Sequence, residues 1–278
     1  MTITTIDQLM DALANNSSRL LIDKQSVGNA VAGGVFSLWR ANGQPGQGAT
    51  PTAAAVCTKA LAGSFGFDNQ AAPAASYLAF MALNCTNAAV SMEVHQRIAH
   101  MGGLNGTLLT AQTVGMNLHS SGLNPPADYI GDANFSDVSW WLEWYADTGG
   151  TASNATVGVT YNDGSTGNLS VVAVGGTVRA SRMIALNNFK PAAAAARFIR
   201  SVDTLTLSAS TGTAGNFGVT ATRVRAQCPL LLANKTEAFD WQALTLPSVP
   251  NDACLMLVQL ASTTTTGAVR GSGKIAHG

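Results

Sequence analysis

Few residues in this chain have types and spacing that could do chemistry. His95 and His100, with Glu93 close by, lie in "VSMEVHQRIAHMGG" (90–103). A helical zinc site of the H-E-x-x-H kind needs imidazoles four apart, with a glutamate between them. Here the two histidines are five apart, and on a helix Glu93 and His95 would point to different faces. Cys57, Cys85, Cys228 and Cys254 form no C-x-x-C pair, which favours buried free thiols over a zinc or redox centre. The segment "GAVRGSGKIAHG" imitates a phosphate loop. Its first glycine is misplaced by one, Ile275 follows Lys274 where Ser or Thr belongs, and no helix can follow, so it reads as a flexible glycine tail. No G-x-S-x-G elbow occurs. Asp147, Asp163 and Asp240 could supply the carboxylate pair of a glycosidase. Asp163, however, falls in a turn signal and Asp147 beside an expected helix stop, where acids serve local hydrogen bonds. The expectation is a protein that is not an enzyme, with no catalytic residue, no cofactor and no metal.

Aromatics are the remaining concentration of useful side chains. "SWWLEWYADTGG" places Trp140, Trp141, Trp144 and Tyr145 within six positions of a chain that is 6% aromatic. On a helix, Trp140 and Trp144 share one face while Trp141 and Tyr145 share the next. On a strand, Trp140, Leu142 and Trp144 line one side. Either geometry sends one pair into the core and leaves the other for a contact. Trp and Tyr dominate interface hot spots, so all four are candidate protein-interface residues, with Trp141 and Tyr145 expected as the exposed pair. A carbohydrate platform is the weaker alternative. Arg223 and Arg225 share one side of a strand candidate, and Arg179 and Arg182 face opposite sides of another. They read as a solvated face or a sparse polar rim.

The elements that must position these residues differ between the two halves. Thr4 and Asp7 resemble a capping box, and Ile6, Leu9, Met10 and Leu13 continue as a short helix that ends at "ANNSS". Residues 28–52 form an irregular connector around a short strand, "GVFSLW". Thr50-Pro51 can open a second helix through "AAAVCTKALAG". "SYLAFMALNCT" could be helix or strand. "VSMEVHQRIAHMGG" reads as a helix stopped by Gly102 or Gly103. "VSWWLEWYADTGG" echoes its Val-Ser and Ala-x-x-Gly-Gly, which predicts a helix there too. After residue 150 the period becomes two. "NATVGVTYNDGSTGNLSVVAVGG" predicts a hairpin turning at Tyr161–Gly164. "GTVRASRMIAL", "DTLTLSAS", "NFGVTATRVRAQ" and "ACLMLVQLAST" supply further strands, and the alanines at 192–196 one more helical piece. The expected fold is mainly β (α+β): an antiparallel β-sandwich with several short helices, mostly in the N-terminal half. The expected division is a helical arm at 1–27, a mixed α/β portion at 28–137 and a β-sandwich portion at 138–278, unless these form one continuous domain.

Composition narrows the function classes. The chain has 278 residues, 46% of them hydrophobic, enough for a sizeable core. Only 11% are charged, against roughly 25% in an average soluble domain, and fifteen bases balance fifteen acids. A near-neutral surface resists association poorly, which suits a protein packed against neighbours. Without a Lys/Arg cluster, no nucleic-acid partner is expected. The start carries no basic segment followed by an apolar run, and no stretch reaches the roughly 18 apolar residues of a span, so no signal peptide and no membrane association are expected.

Five segments carry a family resemblance: "SLWRANGQPGQGATP" (37–51), "HQRIAHMGGLNGTLLTAQTVG" (95–115), "VSWWLEWYADTGGTASNATVGVTY" (138–161), "GTAGNFGVTATR" (212–223) and "ACLMLVQL" (253–260). Together, in this order, the set is similar to virion structural proteins of tailed bacteriophages, most of all to capsid decoration or cement proteins. The resemblance implies a homo-oligomer made in the bacterial host cytoplasm and located in the virion. Its partners would be the major capsid protein and copies of itself, and its role to stabilise the shell through many repeated contacts. A tail, neck or baseplate component, or a receptor- or polysaccharide-binding tail protein, is the alternative. The set contains no chemical motif, so nothing catalytic is implied.

Overall fold

The computed structural model describes residues 2–176 and 180–278. The fold is mainly β and its strand pairs are antiparallel. The helical pieces are Ile6–Asn15, a single turn at Ala127–Ile130 and 3-10 turns at Leu186–Phe189 and Ala192–Ala194. Two compact units are interleaved along the chain. One takes Met1–Ala49, Thr58–Gln96 and Val224–Gly278; the other takes Thr50–Cys57 and Arg97–Arg223. Neither unit coincides with the 1–27, 28–137 and 138–278 segments expected from composition.

In the first unit, one sheet runs in the order Glu237–Phe239, Ser76–Cys85, Val269–His277, Ser17–Lys24, Gly43–Gln44. Helix Ile6–Asn15 packs Leu9 and Ala12 against Ala79 and Ala276 of this sheet. Its capping box is Thr5 with Gln8, one residue later than Thr4 with Asp7. Gln8 stands at the third helical position, where its side chain can return to the Thr5 backbone. The open segment "SYLAFMALNCT" is a strand. The expected glycine tail is also a strand, Val269–His277, paired on both sides with Ser76–Cys85 and Ser17–Lys24. Two neighbouring strands supply the order that its glycine-rich sequence lacks. The buried Lys24 ammonium donates to the carbonyls of Ala41 (3.1 Å), Pro45 (2.7 Å) and Gly46 (3.3 Å), and burial pushes its pKa down to about 8.

In the second unit, one sheet runs Thr166–Asn168, Asn154–Tyr161, Ile199–Leu207, Gln112–Asn117. Elsewhere in it, Ser139–Ala146 lies between Arg182–Ala185 and the first half of Asn216–Leu230. Val157, Val159, Val202 and Leu205 from the first group share one core with Trp140, Trp144, Phe217 and Val219 from the second.

Three expected helices are absent. Residues 90–104 form one strand, Val90–Leu104, and the aromatic segment is the strand Ser139–Ala146. The chain through 51–61 holds only the short strand Ala55–Val56 and turns. Val90, Met92 and Val94 are buried at every second position, the β period that decides the first of these. The glycines read as a helix stop serve packing instead. A Cβ at Gly102 would collide with the Pro51 carbonyl and press on the Tyr145 ring, and Gly103 sits at φ +88°. Near 55, backbone pairing with the second half of Val90–Leu104 overrides the helical propensity of an alanine-rich run. Of "GTVRASRMIAL", the structure shows a strand at Arg182–Ala185; Arg179 lies outside the described residues.

The hairpin at 161–164 is present. Gly164 N–H donates to the Tyr161 carbonyl (3.0 Å), Tyr161 N–H to that of Ser165 (2.8 Å), and Gly164 has φ +86°. A β-branched residue in that conformation is strained by about 1–2 kcal/mol. Gly164→Val is therefore expected to lower stability by that amount in urea unfolding, whereas Gly164→Asn, a residue that tolerates this conformation, should cost less.

Candidate functional site

The aromatic segment being a strand decides the fate of its side chains, because successive residues point to opposite faces. Trp140, Leu142 and Trp144 enter the hydrophobic core, and both tryptophans are fully buried. Trp144 stacks on Phe217 with ring centroids 5.7 Å apart. Trp140 donates its indole N–H to the Ile199 carbonyl at 2.8 Å. The other face carries Trp141, Glu143 and Tyr145, and it is also covered.

A buried ion pair organises that second face. Arg97, with no exposed surface, lies 2.7 Å from the Glu143 carboxylate, which is 1% exposed. Tyr145 accepts from the Arg97 guanidinium at 2.9 Å and donates to Glu143 at 3.2 Å. The Thr220 hydroxyl donates to the same carboxylate oxygen, and the Arg97 Nε–H donates to Nδ1 of His100 at 2.9 Å. Trp141 closes the row by donating to Thr222 at 2.8 Å.

Taking two charges out of water costs several kcal/mol per ion, and Coulomb attraction offsets this only with good geometry and further hydrogen bonds. Glu143 receives three donors and Arg97 uses three acceptors, so that condition is met. Burial alone would weaken the Arg97 cation, but the Glu143 carboxylate outweighs it and holds the guanidinium above its ordinary pKa. Burial, reinforced by Glu143, pushes the Tyr145 phenol up. Burial and the adjacent Arg97 push His100 down to about 3, so its imidazole is neutral and serves as an acceptor. The groups engage one another, and the arrangement works as a clamp across three strands.

Trp141 and Tyr145 thus do not form an exposed pair. They retain 8% and 7% of their surface, and Trp140 and Trp144 retain none. The sequence pattern predicts one covered face, whereas this strand has two. Glu143 and Arg97 are site residues that the pattern does not single out. The available signal was a lone carboxylate alternating with Trp141 and Tyr145, and a lone guanidinium in an apolar run.

The other chemical candidates are held locally. On a strand, residues two apart share a face, so Glu93 and His95 meet at 2.7 Å instead of diverging. Asp147 accepts from the Ala180 N–H, Asp163 from Ser165, and Asp240 from the N–H groups of Gln242 and Ala243. Arg223 pairs with Asp137 at 2.9 Å, and Arg225 donates to Gln96. All four cysteines are buried thiols outside any disulfide. Among the described residues, no three His, Cys, Asp or Glu side chains gather as a metal site, and no helix is long and apolar enough to cross a membrane.

No family model matches the chain, and no curated protein matches it in sequence. Solved structures that it matches include infectious bursal disease virus, Gt strain, at 10% identity and TM-score 0.17, covering 96% of this chain and 86% of that one. The VP2 subviral particle of the same virus matches at 10% identity and TM-score 0.16, covering 94% and 79%. At TM-scores this low the overlap carries no argument about fold or role.

Two outcomes check the site. Trp144→Ala empties a packed, stacked position and should cost about 3–5 kcal/mol in denaturant unfolding. His100 has its folded pKa below its unfolded value, so its contribution is complete above about pH 6.5 and is lost as pH falls toward 3. Within that window the loss approaches roughly 1.4 kcal/mol per pH unit. His100→Asn, which keeps an acceptor but cannot titrate, should flatten the stability–pH profile by about that slope relative to wild type.

Proposed function

We propose that this chain is a structural virion protein of a tailed bacteriophage, which binds the capsid shell and stabilises it by repeated non-covalent contacts. The second unit is read as a β-sandwich, since residues from both of its strand groups fill one core. In this reading the protein is not an enzyme. It acts as a homo-oligomer or as copies arrayed on the major capsid protein, made in the host cytoplasm and carried in the virion.

The observation that supports this most is the character of the surface. In a chain with only 11% charged residues, Ile6, Met10, Leu108, Leu109, Leu231 and Leu232 are all about half exposed or more. Leu108 with Leu109 and Leu231 with Leu232 are adjacent pairs, which concentrates apolar surface at discrete points. Exposed apolar groups gathered in this way mark association surfaces. The shell as partner comes from the five-segment resemblance. Small contacts suffice when many copies engage together, because avidity multiplies modest affinities.

Quantitative mass spectrometry of purified particles tests the reading. A copy number comparable to that of the major capsid protein is expected. A handful of copies per particle would contradict a shell-wide role and favour a neck or tail position.

A further inference from the structure

Among the described residues, strand Gln112–Asn117 ends its sheet and pairs on one side only, with Ile199–Leu207. Its alternation is regular: Gln112, Val114 and Met116 are buried, and Thr113 and Gly115 are exposed. Edge strands normally carry charges or proline that discourage pairing with another chain. This one, "QTVGMN", has neither.

A cavity of about 450 Å³ opens beside it. Three consecutive strand residues, Gln112, Thr113 and Val114, line the cavity, so it follows the edge of the strand and not one of its faces. The lining also draws on a second run of chain. It consists of the consecutive residues Met101–Leu104, with Thr52–Ala54 beside them. The short strand Ala55–Val56 pairs with Val90–Leu104 only as far as Ala55 opposite His100, so its pairing stops where the cavity begins. None of the lining residues is charged, and the half-exposed Leu108 stands among them.

We propose that this groove takes up an extended arm of a partner protein by β-strand addition. The unpaired edge at Gln112–Val114 offers backbone N–H and C=O groups to an extended segment lying in the groove. Backbone N–H and C=O groups of the arm would supply the affinity. The uncharged walls disfavour charged side chains, since a Lys or Glu carried into the groove would lose its hydration without a counter-ion. The occupant is therefore an uncharged extended segment.

The probe is an end-blocked hexapeptide of alternating Thr and Val, added to the full chain and followed by backbone NMR and amide exchange. Saturable binding is expected, with shift changes at 101–104 and 112–115 and slowed exchange at the Gln112–Asn117 edge. The same peptide N-methylated at alternate positions keeps its side chains but loses donors, and it should bind at least tenfold more weakly. Ala111→Glu puts a charge on the exposed rim of the groove and should weaken binding tenfold or more, with unchanged unfolding of the free protein. Failure to saturate at low-millimolar peptide would overturn the proposal. So would equal binding of the methylated peptide, or an affinity untouched by Ala111→Glu. None of these readouts depends on a capsid, so the inference can fail while the virion reading stands, and the reverse.

Discussion

An arginine and a glutamate shut away from water must hold each other, and the second compact unit depends on how Arg97 and Glu143 do so. Arg97 comes from the strand Val90–Leu104 and Glu143 from Ser139–Ala146. Thr220, from Asn216–Leu230, donates to the same carboxylate. The pair therefore ties three strands together from one face, while the tryptophans of Ser139–Ala146 tie the other face to the hydrophobic core. The apolar face supplies most of the driving force, because burial scales with area and does not specify geometry. The polar face is directional. A one-residue slip of Ser139–Ala146 would put Glu143 among the core residues and a tryptophan against Arg97, so the ion pair opposes the register error most open to such a strand.

This arrangement explains why a cluster of four aromatics is covered on both faces of its strand. Aromatics reach a partner when one face of their element is solvated. Here Tyr145 is drawn inward by Arg97 and Glu143, and Trp141 by Thr222. The exposed apolar side chains lie elsewhere, among them the leucine pairs at 108–109 and 231–232.

The parts of the fold legible in the sequence were those written in local chemistry. Asp163-Gly164 within alternating residues marks a hairpin because Gly164 must adopt a positive φ, and the turn is present. The strands after residue 150 show in their period of two. The first helix shows in its apolar spacing, although Thr5 and not Thr4 caps it. What could not be read was set by distant partners. "VSMEVHQRIAHMGG" holds its alternation only at Val90, Met92 and Val94, so the rest of it and "GAVRGSGKIAHG" become strand because neighbours pair with them. In the candidate site, the crowding of aromatics was visible but its second cover was not. Arg97 and Glu143 are 46 positions apart, and no spacing rule links an arginine on one strand to a glutamate on another.

A double-mutant cycle at Arg97 and Glu143 tests the central claim most directly. Unfolding free energies would be measured for wild type, Arg97→Met, Glu143→Leu and the double variant. If the pair clamps the strands, each single change leaves a buried charge alone and costs about 3–5 kcal/mol. The double variant should then recover much of that loss, giving a coupling of roughly 2 kcal/mol or more. Single effects that simply add, with coupling near zero, would show that the two residues do not act on each other and would contradict the account.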